Sequence, residues 1–236
     1  MKVDVVFAGI GGQGIVGASD VLCEAALMDG FNVAKSEIHG VVQRGGSIVA
    51  HVRIGDGIVC PLIERGAGDI ILGFEIIESA RALPMLKDEG RVIVNKEYLP
   101  PTPVLQGQVE PPRIDVLVDM MRLKASRIYE IDGLRLAGEA GDVLSRSVVL
   151  LGALLAAVEE PFREESVRNA LLDVLGKEHL DVNLKALQLG RESVQNSKTD
   201  FNQSIQSHSV GALVPDPLHI LHPRKVTRGS EWPQAH

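Results

Sequence analysis

The chain has 236 residues, 45% of them apolar, a formal net charge of −7, and only five Phe, two Tyr, one Trp and two Cys. That length suits one large α/β domain with or without a tail. Cys23 and Cys60 are too few for a conventional four-thiolate iron–sulfur cluster, a four-cysteine zinc site or a disulfide framework, and an acidic chain poor in aromatics lacks the makings of a nucleic-acid platform.

Taken in order, residues 3–8 form a β-rich run that ends on glycines and reads as a first strand buried on both faces. Asp4 inside that run is not what a signal peptide carries. Gly9-Ile10-Gly11-Gly12-Gln13-Gly14 follows, and residues 15–29 then carry apolar positions at helical spacing, with Gly30 where a helix C′ glycine belongs. Residues 31–38 read as a second strand. Residues 47–54 and 58–62 flank Gly55-Asp56-Gly57, the pattern of a β-hairpin. Residues 69–74 read as a strand, 75–86 as a helix with Pro84 in it or ending it, and 91–94 as another strand. Prolines at 100, 101, 103, 111 and 112 mark an irregular excursion. A helix over 114–124, a strand over 127–131 and a helix capped by Asp132 come next. The longest apolar run, 148–158, is shorter than the roughly 20 residues of a membrane helix and reads as a buried helix of a soluble, cytoplasmic protein. Amphipathic helices are expected near 164–175 and 182–193. The fold class is therefore α/β: a Rossmann-like three-layer domain with a mostly parallel sheet, a β-hairpin insertion and C-terminal helices. Composition shifts near Gln195, so residues 1–195 read as the domain and 196–236 as a disordered or loosely attached tail.

Two stretches carry candidate chemistry. Gly9, Gly11 and Gly14 satisfy G-x-G-x-x-G between a strand and a helix, where glycines permit a tight turn and the helix N-terminus offers free N–H groups to a phosphate. Glu37 stands near the end of the second strand, roughly where an acid would meet a dinucleotide ribose. A ligand-free glycine turn is the competing reading. Gly12 and Gln13 make the loop unusual, and the Gln13 amide has donors and an acceptor for a ligand or partner. The second stretch is Glu37-Ile38-His39-Gly40-Val41-Val42-Gln43-Arg44-Gly45-Gly46, at the strand edge where α/β sheets bind ligands. Arg44 suits a carboxylate or phosphate, and His39 suits proton transfer. The plainer reading has Arg44 pairing with Glu37 and His39 bonding the backbone. Gly55-Asp56-Gly57 matches the start of a thiamine-diphosphate motif, but no asparagine follows at the required distance, so a turn is the better reading. Cys23 and Cys60 read as buried, unreactive thiols. The tail histidines His219 and His222 have no metal-ligating company.

The pairing of Gly9-Ile10-Gly11-Gly12-Gln13-Gly14 with Glu37-x-His39-Gly40-x-x-Gln43-Arg44-Gly45-Gly46-Ser47 resembles the gamma domain of 2-oxoacid:ferredoxin oxidoreductases. The Glu-x-His-Gly-x-x-Gln-Arg form is most similar to the indolepyruvate branch, in its beta subunit. Asn95 before Pro100-Pro101, Gly141-Asp142 before Val148, and Asp181-Val182-Asn183 before Gly190 extend the resemblance over about residues 1–195. The resemblance implies a subunit that binds no cofactor alone and has no catalytic or metal-ligating residue of its own. Thiamine diphosphate, magnesium and iron–sulfur clusters would sit in a large alpha subunit. The complex would decarboxylate an aryl 2-oxoacid, reduce ferredoxin and form an acyl-CoA. The two loops would then be ligand or interface loops that shape the active-site and CoA approach. A stand-alone NAD(P)-dependent dehydrogenase is the alternative, resting on the glycine loop and Glu37.

Overall fold

The computed structural model describes residues 2–40, 45–158 and 162–204, with backbone alone for 197–204. In order come β1 (Val3–Ile10), α1 (Ile15–Met28), β2 (Val33–His39), β3 (Ser47–Ile54), β4 (Gly68–Gly73), α2 (Ile76–Ala82) and β5 (Leu86–Asn95). Then follow α3 (Thr102–Leu105), α4 (Ile114–Lys124), β6 (Arg127–Ile131), α5 (Gly133–Ala140), α6 (Arg146–Ala157), α7 (Glu164–Leu175) and α8 (Leu180–Ser204).

The strands make one sheet in the order β2-β3-β1-β4-β5-β6. β1, β4, β5 and β6 run parallel, while β3 runs antiparallel to both of its neighbours, β2 and β1. The sheet is covered on both faces, which is why β1 is apolar almost throughout rather than alternating. Val5 and Phe7 point into a core shared with α1, α5, α6, α7 and α8. Val6 and Ala8 point into a second core with α2 and α4.

The α/β reading holds, but the hairpin belongs elsewhere. Residues 58–62 form no strand. Both edges of β3 are already taken, by β2 and β1, so no free edge is left for them. Instead β3 side chains pin that segment across its face. Arg53 is held by the Asp4 carboxylate at 2.9 and 3.0 Å and donates to the Cys60 and Leu62 carbonyls at 3.1 and 3.3 Å. Buried His51 accepts the Ile63 N–H at Nδ1, at 3.1 Å. Cys60 is consequently exposed rather than buried on a strand, while Cys23 is half-buried on α1. Burial pushes the Cys23 thiol up to about 12, so it stays protonated near neutrality.

Smaller differences have local causes. The helix expected over 75–86 stops at Ala82, and Pro84, which cannot continue the helical ladder, sits in the middle of a 3-10 turn, Leu83–Met85. β5 starts at Leu86 because Leu86 already pairs with Gly68. A short helix, α3, lies inside the proline-rich excursion. α8 runs on to Ser204, past the compositional shift at Gln195, and residues 205–236, with the tail histidines, lie outside the described residues.

Helices α6 and α8 approach to backbone contact. A Cβ on Gly152 would collide with the Leu187 carbonyl, and one on Gly190 with the Val149 carbonyl. At the other end of the layer, α1 and α7 are tied through Asp29, which accepts from the Arg163 N–H at 2.9 Å, from Arg163 Nε at 2.7 Å and from Ser166 Oγ.

Gly152→Ala and Gly190→Ala should each destabilise the chain by about 3 kcal/mol, because the added methyl meets backbone that must move. Gly138→Ala in α5, where a Cβ meets nothing within 4 Å, should stabilise it by about 0.5–1 kcal/mol. Urea unfolding of the three variants checks the contrast. Burial pushes the Asp29 carboxyl up, but hydrogen bonds from Ser166 and Arg163 outweigh it and hold the group below its ordinary 3.8. Its contribution is therefore present above 3.8 and lost as pH falls through the lower folded value. Urea midpoints taken from about pH 5 to about pH 2 should fall less steeply in Asp29→Asn than in the parent chain.

Candidate functional site

In an open α/β sheet the ligand crevice lies past the C-terminal ends of the strands, where successive connections leave to opposite faces. Here that point is between β1 and β4, since α1 packs in one core and α2 in the other. The loop from Gly11 to Gly14 and the Phe74-Glu75 corner meet there.

Gly9 is the last-but-one residue of β1, and a Cβ on it would lie 2.7 Å from both Gln13 Oε1 and the Phe74 Cβ. Gly14, at φ +81°, caps α1 and lies so close to α6 that a Cβ would stand 2.8 Å from Ser147 Oγ. Gly12 has φ +99° with open space around it. Gly11 donates its N–H to the Gly46 carbonyl at 2.9 Å, which joins this loop to the β2–β3 connection.

Gln13 turns inward. Its side chain is buried, accepts the Ile10 N–H at 2.8 Å and donates to the Phe74 carbonyl at 3.2 Å. The amide that sequence alone offered to a ligand thus stitches β1 to β4 across the crevice.

Glu37 is held by its own strand. Its two oxygens take Lys35 Nζ at 2.7 Å and His39 Nε2 at 2.9 Å, and Lys35 also reaches Asp20 at 2.5 Å. The Lys35 hydrogen bond holds the Glu37 carboxyl below its ordinary value against the effect of burial. Burial pushes the Lys35 ammonium down, but the bonds to Asp20 and Glu37 outweigh it and leave the group above 10.5. β3 stands between β2 and β1, which sets Glu37 two strand spacings, about 10 Å, from the glycine loop. In a dinucleotide fold the acid-bearing strand adjoins the first one. His39 is half-exposed, and Gly40 bonds its N–H to the Ser47 carbonyl at 2.8 Å. Gly45 has φ +77°, while Gln43 and Arg44 lie outside the described residues.

The better-built part of the site grows from residues not read as functional in the sequence. The Phe74 carbonyl also accepts Asn95 Nδ2 at 3.1 Å. Asn95 takes the Gly133 N–H on Oδ1 at 3.0 Å and donates to Glu97 Oε2 at 3.0 Å, and Glu97 Oε1 pairs with Arg146 at 3.1 Å. One polar chain therefore joins the glycine loop, β4, β5 and the starts of α5 and α6. Glu75, fully buried, caps α2 through the Glu78 N–H at 3.0 Å and accepts the Leu99 N–H at 3.2 Å. Burial pushes it up to about 7. Glu78 takes Ser47 Oγ at 2.5 Å and Arg81 at 2.7 Å. The one signal the sequence offers is an acid directly after a strand; Asn95 stands out only in the resemblance to the family.

Among the described residues no cluster of three or more His, Cys, Asp or Glu is placed to hold a metal ion, and no helix is long and apolar enough to cross a membrane.

Residues 4–193 match the family model for pyruvate ferredoxin/flavodoxin oxidoreductase. The chain belongs to that family and is a subunit of a 2-oxoacid ferredoxin oxidoreductase. It is 35% identical over 190 residues to the indolepyruvate oxidoreductase subunit IorB of Archaeoglobus fulgidus, covering 80% of this chain and 94% of that one. The fold matches the gamma subunit of the keto/oxoacid ferredoxin oxidoreductase of Geobacter sulfurreducens, with TM-score 0.61, 23% identity, and 82% and 99% of the two chains covered. It also matches 2-oxoglutarate:ferredoxin oxidoreductase of Magnetococcus marinus, solved with 2-oxoglutarate, coenzyme A and succinyl-CoA, with TM-score 0.64 and 21% identity; the match covers 83% of this chain and 31% of that one.

Gln13→Ala removes a buried bridge and leaves the Ile10 N–H and Phe74 carbonyl without that partner. It should cost about 2 kcal/mol in urea unfolding. A stability equal to that of the parent chain would mean that the stitch between β1 and β4 carries no weight.

Proposed function

We propose that this chain is the non-cluster subunit of an indolepyruvate or other aryl 2-oxoacid ferredoxin oxidoreductase, cytoplasmic, and inactive alone. The observation that carries the reading is the likeness to IorB over nearly the whole of that relative. Thiamine diphosphate, magnesium and the iron–sulfur clusters are assigned to a larger alpha subunit. The residues here do not fit them. Cys23 is half-buried and Cys60 exposed, and these two are all the thiols in the chain. Gly55-Asp56-Gly57 follows β3 without an asparagine partner. The hard chemistry thus belongs to the partner and its cofactors.

In this reading the chain packs against the alpha subunit with the C-terminal edge of its sheet. It presents a rigid rim to the 2-oxoacid and CoA approach. The glycine loop, His39 at the end of β2, and the Asn95–Glu97–Arg146 chain form that rim. Rigidity suits the role, since a shaped approach works only if its walls hold position. The buried Gln13 stitch and the strand between Glu37 and the glycine loop both weigh against a nicotinamide site.

The test is reconstitution. The purified chain should show no oxidation of indolepyruvate with thiamine diphosphate, CoA and ferredoxin. Co-expression with the larger subunit should yield a brown complex with ferredoxin-reducing activity and acyl-CoA product. Turnover by the chain alone would overturn the proposal, and saturable NADH binding would favour a dehydrogenase instead.

A further inference from the structure

β2 is the outermost strand of the sheet, and among the described residues no strand pairs with its outer edge. An open edge of seven residues is a template for a further strand unless something blunts it. β2 has no proline, and its register with β3 is unbroken from Val33 to His39. The ladder on β3 shows which backbone groups are free. Gly40 donates its N–H to the Ser47 carbonyl, and Gly55 donates to the Asn32 carbonyl, so the even-numbered residues of β2 hold the hydrogen-bonded positions against β3. The N–H and C=O groups of Val33, Lys35, Glu37 and His39 therefore point outward.

The side chains of the strand fall on two faces. Lys35 and Glu37 lie on the α1 side, where Lys35 reaches Asp20 of α1 at 2.5 Å and Glu37 at 2.7 Å. Ala34, Ser36 and Ile38 lie on the other face, and Ile38 is 52% exposed. That face continues onto β3 at Val49, His51 and Arg53, and onto the segment those last two side chains pin, where Val59 and Leu62 are exposed.

We propose that this edge pairs with β2 of a second copy of the chain, antiparallel about Ser36, so that one sheet runs through both copies. In that register Lys35 lies opposite the partner's Glu37, Glu37 opposite the partner's Lys35, and Val33 opposite the partner's His39. These outward-pointing residues are the ones that exchange both backbone hydrogen bonds, as an antiparallel ladder requires. Charge selects the register. Moving the centre of pairing to Lys35 or to Glu37 keeps the outward ladder but sets lysine against lysine or glutamate against glutamate, which is destabilising. With Ser36 at the centre, each Lys35 stands between its own Glu37 and the partner's Glu37, and charges alternate around the two-fold axis. On the other face Ile38 lies opposite the partner's Ala34, which takes exposed apolar surface out of water. The contact is isologous: one patch serves both copies, and it closes. The pairing does not rest on the proposed substrate. β3 and β1 separate this edge from the Phe74 corner, so that corner stays open to the larger subunit.

Sedimentation equilibrium of the full chain tests it. The parent chain should move from 25.4 kDa towards twice that mass as concentration rises. Glu37→Lys sets lysines opposite one another in both cross-strand pairs, and Lys35→Glu sets glutamates there; each should weaken the dimer about 30-fold. An equimolar mixture of the two variants should restore it, since every lysine then faces a glutamate, and that recovery separates a lost interface from a lost fold. A parent chain still monomeric at about 0.1 mM overturns the proposal. So do single variants that associate as the parent does, or a mixture of two folded variants that recovers nothing. If either variant does not fold, amide hydrogen exchange of the parent chain serves. The Lys35 and Glu37 N–H groups should gain protection as concentration rises, and protection independent of concentration overturns the pairing. Protection gained only when the larger subunit is added also overturns it and assigns the edge to that subunit.

Discussion

The carbonyl of Phe74 is the point on which the edge of this sheet depends. It directly follows the central strand β4, and it accepts hydrogen bonds from Gln13 on one side and Asn95 on the other. A carbonyl oxygen has two lone pairs, and both are used to join neighbours that approach from different connections. From Asn95 the chain of bonds continues through Gly133 and Glu97 to Arg146. The starts of α5 and α6 thus take their positions from the same corner as the glycine loop. Because these groups are buried or half-buried, losing one partner leaves the others unsatisfied, and the whole edge behaves as a unit.

The same corner shows what packing alone asks of a glycine loop of nucleotide-binding type. Gly9 is needed because Phe74 and Gln13 crowd it, and Gly14 because Ser147 does. These are demands of packing between elements. The pattern G-x-G-x-x-G records that the backbone is approached closely, without recording what approaches it. Here the approaching groups include protein side chains: an amide from within the loop, a phenylalanine just after β4 and a serine from α6.

Much of the fold was legible in the sequence, for a physical reason. β1 and β4 are short apolar runs, β6 is a short run of β-branched and aromatic residues among charges, and α1, α4 and α6 carry helical spacing, so local pattern sufficed for each. The position of β3 was not legible. Its alternating residues suit any antiparallel partner, and only competition between the 58–62 segment, β1 and β2 decides which one it takes. Arg53 and His51 settle the fate of residues 58–63 by contacts that span several residues and a change of direction. The site shows the same division. The glycines and the 37–46 loop stood out by composition. Glu75 reads as an ordinary helix-start acid, because its second partner, the Leu99 N–H, arrives from beyond β5. Gln13 was recognised as special, but its direction was set by Phe74, which is distant in sequence.

The antiparallel strand between β2 and β1 also governs the order in which the chain can assemble. β1 has no partner among the elements that follow it at once: Val3 pairs with Ile54, and Val5 with Ile70. During synthesis the most apolar strand of the sheet therefore emerges first and waits, through α1, β2 and the 40–46 connection, for its first hydrogen-bonding neighbour. Such long-range closure slows folding and leaves a sticky strand exposed in the interval. The strand that makes this sheet mixed rather than parallel is thus also the one that ends the vulnerable period of the nascent chain.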